Sequence, residues 1–149
     1  RVDAFEFAMQ HDDGQRISMI GDADIVLVGV SRTSKTPTCM YLANRGYKVA
    51  NIPLVPGQPS PLEAFLNPDT FFIGLVCDPK NLSDIRQNRL KLMNEERHID
   101  YADMQYVKEE VASSRKLFRQ KGWPVIDVTR KSIEETAASI IQLYNSKKN

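Results

Sequence analysis

The sequence predicts an α/β fold of the P-loop type, with a mostly parallel sheet flanked by helices. Two observations carry this. Strand-like and helix-like stretches alternate along the chain, the pattern that places helices against a parallel sheet. Between the first apolar strand and the next helix lies "GVSRTSKT" (29–36), which is close to a phosphate-binding loop.

The elements follow in order. "RVDAFEFAMQ" opens the chain as a helix with Val2, Phe5 and Met9 on one face. Starting inside an element at Arg1, the chain reads as the C-terminal part of a longer protein, and its 149 residues suit one domain. "ADIVLVGV" (23–30) is a β-branched run fit for burial on both faces. "PTCMYLANRG" follows as a helix, with Pro37 in its first turn and Gly46 at its stop. "YKVANI" is a second strand, which Pro53 forces to end early or to lie at a sheet edge. The proline-rich "PLVPGQPSP" (53–61) is expected as a surface loop, a lid or a connection.

"FFIGLVCD" (71–78) is a third strand, with Phe71 and Phe72 expected in the core and not as a base-stacking platform. "LSDIRQNRLKLM" is an amphipathic helix with Ile85, Leu90 and Met93 as its apolar positions. A longer helix is expected over Tyr101–Gln120, with Met104, Val107, Val111 and Leu117 near one face. "WPVIDVT" is a fourth strand. The last helix opens with Ser132 and Glu135 at capping-box spacing and buries Ile133, Ala137, Ile140, Ile141 and Tyr144.

Composition narrows the function. A net charge of +1 argues against a general nucleic-acid binder, which needs a surplus of cations to displace counterions. The apolar runs are too short to span a bilayer, and no signal-peptide pattern opens the chain. Cys39 and Cys77 stand apart, so they are expected as buried thiols in a reducing cytoplasm rather than zinc ligands or a disulfide. His11 and His98 show no ligand spacing.

A phosphate loop needs a strand ending in glycine, a tight turn presenting N–H groups, and a helix whose N-terminus faces the anion. Gly29, Val30, Ser31, Arg32, Thr33, Ser34, Lys35 and Thr36 supply this order, and the flanks supply strand and helix. Lys35 would reach the terminal phosphates, and the Thr36 hydroxyl would ligate Mg²⁺. Arg32 offers a guanidinium to phosphate oxygens or stands as a solvated loop residue. Ser34 replaces the second glycine; it is small, and its hydroxyl can itself donate to a phosphate. The same residues also suit an ordinary Ser/Thr-rich turn before an N-capped helix.

"ADIVLVGVSRTSKTPTCMYLANRGYKVANIPLVP", with "HDDGQ", "IGL", "IRQNRL" and "IDVTRKSIEETA", closely resembles the pyruvate, phosphate dikinase / phosphoenolpyruvate synthase regulatory protein family. The resemblance spans essentially the whole chain and corresponds to the C-terminal part of a longer family member. It implies a bifunctional enzyme. One activity is an ADP-dependent phosphorylation of a threonine near the catalytic histidine of the target. The other removes that phosphate onto inorganic phosphate and releases pyrophosphate. The resemblance makes Gly29–Thr36 the nucleotide-binding segment; the preference for ADP over ATP comes from it alone. The target is the dikinase or the synthase, with a lean to the dikinase. A homo-oligomer is compatible with the sequence.

Other groups complete the candidate site. Asp12 and Asp13 in "HDDG" are carboxylates able to orient or deprotonate the acceptor hydroxyl, although Asp-Gly is also a turn signal. Given the resemblance, Asp13 is the favoured base. Asp78 ends the third strand as a metal-holding aspartate would, and Asp-Pro is equally a strand-to-turn punctuation. Asp127 competes with it at a lower rank. Arg86 and Arg89, three apart on a helix, would clamp the transferring phosphate or the partner's phosphothreonine, or form a solvated basic face. Two further readings stay open. One is a small-molecule kinase of the adenylate- or shikimate-kinase type, whose acceptor pocket would come from the poorly charged 53–70 stretch. The other is a nucleotide-sensing module without catalysis.

Overall fold

A computed structural model describes residues 23–30, 32–54, 70–93 and 103–148. Their order is β1 (Ile25–Val30), α1 (Lys35–Asn44), β2 (Val49–Leu54), β3 (Phe71–Val76), α2 (Pro79–Met93), α3 (Met104–Lys121), β4 (Val125–Asp127) and α4 (Ile133–Lys148). The four strands form one sheet in the order β2-β1-β3-β4, and every pair is parallel. The α/β expectation therefore holds for these residues. The predicted first helix, with Asp12 and Asp13 beyond it, lies outside the described residues, as do Ser31, the histidines and the 55–69 stretch.

All six residues of β1 are buried, as a central parallel strand covered on both faces requires. Alternate side chains feed two packed regions. Ile25 and Leu27 join Ile73 and Leu75 against Leu42 of α1 and Ile140 of α4. Val26 and Val28 join Phe72 and Val76 against Phe118 of α3. Phe72 stacks on Trp123 with ring centroids 4.7 Å apart, so it is a core residue as expected. Gly74 makes room for Phe118: a Cβ there would lie 2.4 Å from its ring. Cys39 and Cys77 are buried and not joined in a disulfide.

Pro53 does not cut β2 short. It stays in the strand, paired opposite Gly29, and among the described strands β2 is an edge, the position where a sheet tolerates proline. Pro53 and Leu54 of the predicted 53–61 loop thus belong to β2, and the rest of that stretch lies outside the described residues. A larger correction concerns α2. Its inward side is Leu82, Ser83 and Arg86, whereas Ile85 is 40% exposed. Arg86 can occupy a core position because Glu110 of α3, also buried, pairs with it through both carboxylate oxygens.

Candidate functional site

β1 connects through α1 to β2 on one side, while β3 lies on the other side of β1. The carboxyl ends of β1 and β3 therefore flank the switch point of the sheet, where open parallel sheets leave a crevice for ligands. The β1–α1 loop occupies that position. Gly29 is fixed by space: a Cβ would meet the Leu75 carbonyl oxygen and the Thr33 Oγ1, each at 2.9 Å. The loop can lie this close to β3 only without a side chain there.

Beyond Gly29 the backbone takes a costly path. Arg32 (φ 69°) and Ser34 (φ 62°) both adopt the left-handed conformation, which costs a non-glycine residue about 1 kcal/mol or more. Ser34 thus takes the conformation a glycine would supply, and its side chain makes no capping bond to α1. The first turn of α1 carries no acidic residue either. The positive end of the helix is left for an outside anion, and a cation, Lys35, stands in that first turn where the dipole disfavours it.

The loop is held by its own contacts. The Thr33 hydroxyl, fully buried, donates to the Val30 carbonyl at 2.8 Å. The Lys35 ammonium, 5% exposed as a residue, donates to the same carbonyl at 2.9 Å and to Thr33 Oγ1 at 3.4 Å. It is tethered by these oxygens at the base of a cleft of about 440 Å³. Arg32, Ser34, Lys35, Thr36 and Pro37 line one part of that cleft, and Pro53 of β2 and Ile85 of α2 complete it. The size suits a small-molecule ligand, and two cations with no carboxylate among these lining residues favour an anionic one.

Asp78 follows β3, at the neighbouring strand end, as the sequence placed it. Its carboxylate caps α2 by accepting from the Asn81 N–H at 3.2 Å. The Asp78 N–H donates to Thr129 Oγ1 at 2.7 Å, which ties the β3–α2 turn to the β4–α4 turn. Thr129 in turn donates to Asp127 Oδ1 through its hydroxyl at 2.5 Å and its amide at 2.9 Å. Partial burial would raise the Asp127 pKa, but the two bonds from Thr129, with Arg115 and Lys131, outweigh it and hold the carboxyl below its usual range. The Cys77 thiol is pushed up, chiefly by burial, and is a poor nucleophile.

The expected Arg86–Arg89 clamp is not assembled. Arg86 is fully buried against Glu110, while Arg89 is exposed on the outer side of α2. Two features escaped sequence reasoning. Glu110 falls among Val107, Val111 and Ser114 on the buried side of α3, and a carboxylate inside an apolar stripe was the signal for a buried cation. Ile85 on the cleft had no local signal, since its spacing reads as core.

The described residues form an α/β domain with a basic, helix-headed cleft at the switch point of its sheet. Residues 1–141 match the kinase/pyrophosphorylase family, and the chain belongs to that family. It is 60% identical over 144 residues to a protein of Paramagnetospirillum magneticum provisionally named pyruvate, phosphate dikinase regulatory protein, covering 97% of this chain and 46% of that protein. Relatives with the same name are 52% identical in Caulobacter vibrioides (97% and 46% covered) and 48% identical in Pelagibacter ubique (100% and 55%). The chain spans about half the length of these curated relatives.

Proposed function

We propose that this chain carries the nucleotide site of a bifunctional regulatory kinase and phosphorylase acting on pyruvate, phosphate dikinase or on phosphoenolpyruvate synthase. The observation that carries the reading is the β1–α1 loop, in which a buried lysine, a left-handed serine and an uncapped helix start converge on one cleft. The family and the names of the relatives support a regulatory phosphotransferase.

In the kinase direction the loop amides and Lys35 hold the β-phosphate of ADP. The threonine oxygen of the target attacks that phosphorus, the bond to the bridging oxygen of the α-phosphate breaks, and AMP leaves. Asp13, or Asp12, accepts the hydroxyl proton. In the opposite regulatory direction an oxygen of inorganic phosphate attacks the phosphothreonine phosphorus. The threonine oxygen leaves and takes up a proton, and pyrophosphate is released. One anion cradle serves both because both transition states spread similar charge over the transferred group.

Mg²⁺ fits the donors present. Thr36, half-buried in the first turn of α1 and on the cleft, and Asp78 at the adjacent strand end are hard oxygen ligands. They would hold the ion, which neutralises phosphate charge when bound. Among the described residues, the cleft lining outside the loop and first turn of α1 is Pro53 and Ile85, which supports a macromolecular acceptor over a small polar one. The test is transfer from ADP labelled at the β-phosphate onto the dikinase and onto the synthase. Label on a target threonine, and pyrophosphate on adding inorganic phosphate, are expected. Label reaching only small acceptors, with ATP preferred, would instead support a small-molecule kinase. Nucleotide binding without transfer would indicate a sensing module.

A further inference from the structure

We propose that the outer side of α2, from Ile85 through Arg89 to Leu92, is the ledge on which the target protein lays the segment flanking its acceptor threonine. The inference rests on the regulatory-kinase reading and adds where the partner sits.

Ile85, Arg89 and Leu92 follow one another at spacings of four and three residues, so they form one strip along the helix. Ile85 is 40% exposed and lines the cleft, and Leu92, two turns on, is 83% exposed. The strip therefore runs outward from the phosphate cleft without a break. A lone exposed leucine is unremarkable. Here, however, α2 buries an arginine and turns an isoleucine outward, the reverse of what its composition favours, and it does so beside the cleft. That arrangement retains apolar surface where a substrate chain would have to pass.

The charges match the same occupant. Arg89 within the strip and Arg32 at the cleft are exposed cations. A phosphothreonine entering the cleft for removal of its phosphate brings two negative charges, and guanidinium groups are suited to grip them. An apolar contact at Leu92 would then hold the neighbouring residues of the target in both directions of the reaction.

The test measures binding of the dikinase, with and without phosphate on its acceptor threonine, to the wild-type chain, Leu92→Asp and Arg89→Ala. ADP is titrated in parallel. Leu92→Asp is expected to weaken both forms of the dikinase about tenfold or more and to leave ADP affinity within twofold. Arg89→Ala is expected to weaken the phosphorylated form more than the other. Dikinase binding unchanged by Leu92→Asp would overturn the ledge, as would a wild-type chain that binds neither form. A loss of thermal stability in Leu92→Asp would show the ledge covered by the chain itself, and a dimer broken by it would assign the ledge to a second copy. Either result overturns the proposal. Wild-type binding of the dikinase without any binding of ADP would sink the nucleotide reading and leave the ledge standing.

Discussion

Two strand-to-helix turns at the same edge of the sheet solve the same local problem in opposite ways. The β4–α4 turn closes itself. The Glu135 N–H donates to the Ser132 hydroxyl at 3.1 Å, and the Ser132 N–H donates to the Glu135 carboxylate at 3.3 Å. This reciprocal pair satisfies the helix start from within. The β1–α1 turn leaves its helix start without a side-chain cap, sets a cation there and carries two left-handed non-glycine residues within three positions. Both turns connect a parallel strand to a helix, so topology does not explain the difference. The β4–α4 turn also holds one left-handed non-glycine residue, Arg130 (φ 57°), so the contrast lies in the cap: that helix start is satisfied from within, and the start after β1 has no side-chain cap.

The comparison can be broken from several sides, and the largest effect lies away from both turns. The Arg86–Glu110 pair is a support for the fold in this account, so Glu110→Ala should cost about 3–5 kcal/mol by stranding a buried guanidinium. Replacing both residues, as Arg86→Met with Glu110→Leu, should recover most of that loss, and urea unfolding of the three chains measures it. ADP affinity in the double variant should stay near that of the wild type. A tenfold loss would return Arg86 to the phosphate site.

The two serines come next. Ser132→Ala should destabilise by about 1 kcal/mol, because it removes a working cap. Ser34→Gly should have the opposite sign, a gain of roughly 0.5–1 kcal/mol, because the left-handed strain is relieved while the flexible glycine gives back part of the benefit. Thermal melts of both variants compare the turns directly. Destabilisation by Ser34→Gly would mean that the serine hydroxyl supports the loop.

The smallest effect is a pH dependence. Since the folded-state pKa of Asp127 is lowered, its contribution is present above the usual carboxylate range and is lost as pH falls through the lowered value. Asp127→Asn should therefore lower stability slightly at neutral pH, with the difference from the wild type vanishing at low pH so that the acid limb flattens. The side chain is 52% exposed, so solvent screens most of the effect. A large loss at neutral pH would point to a further role for this carboxylate.

Much of this architecture was legible in the chain. The β-branched run of β1, the capping box of α4 and the edge position that Pro53 left as one of two choices rest on local chemistry, and local chemistry is what a sequence displays. The inward side of α2 was not legible, because Arg86 is buried by a partner 24 residues away on another helix. Leu117 packs half-buried on the core as expected, but the full burial of Phe118 beside it depends on a glycine gap in β3 that only the packed sheet reveals. At the site, the order of loop residues was readable. The left-handed backbone of Ser34 was not, since serine has no preference for it. Asp12 and Asp13, the expected bases, lie outside the described residues.

The most direct measurement is calorimetric titration of ADP with Mg²⁺ into this chain and into Lys35→Ala. The account predicts that the wild type binds ADP in preference to ATP. It predicts that the variant loses about 2–3 kcal/mol of that affinity, roughly a hundredfold, as expected for a charge-assisted contact to phosphate. The melting temperature of the variant should stay close to that of the wild type. ADP binding with equal affinity to both chains would contradict the account, because the ligand would then lie away from the loop that the fold builds around Lys35.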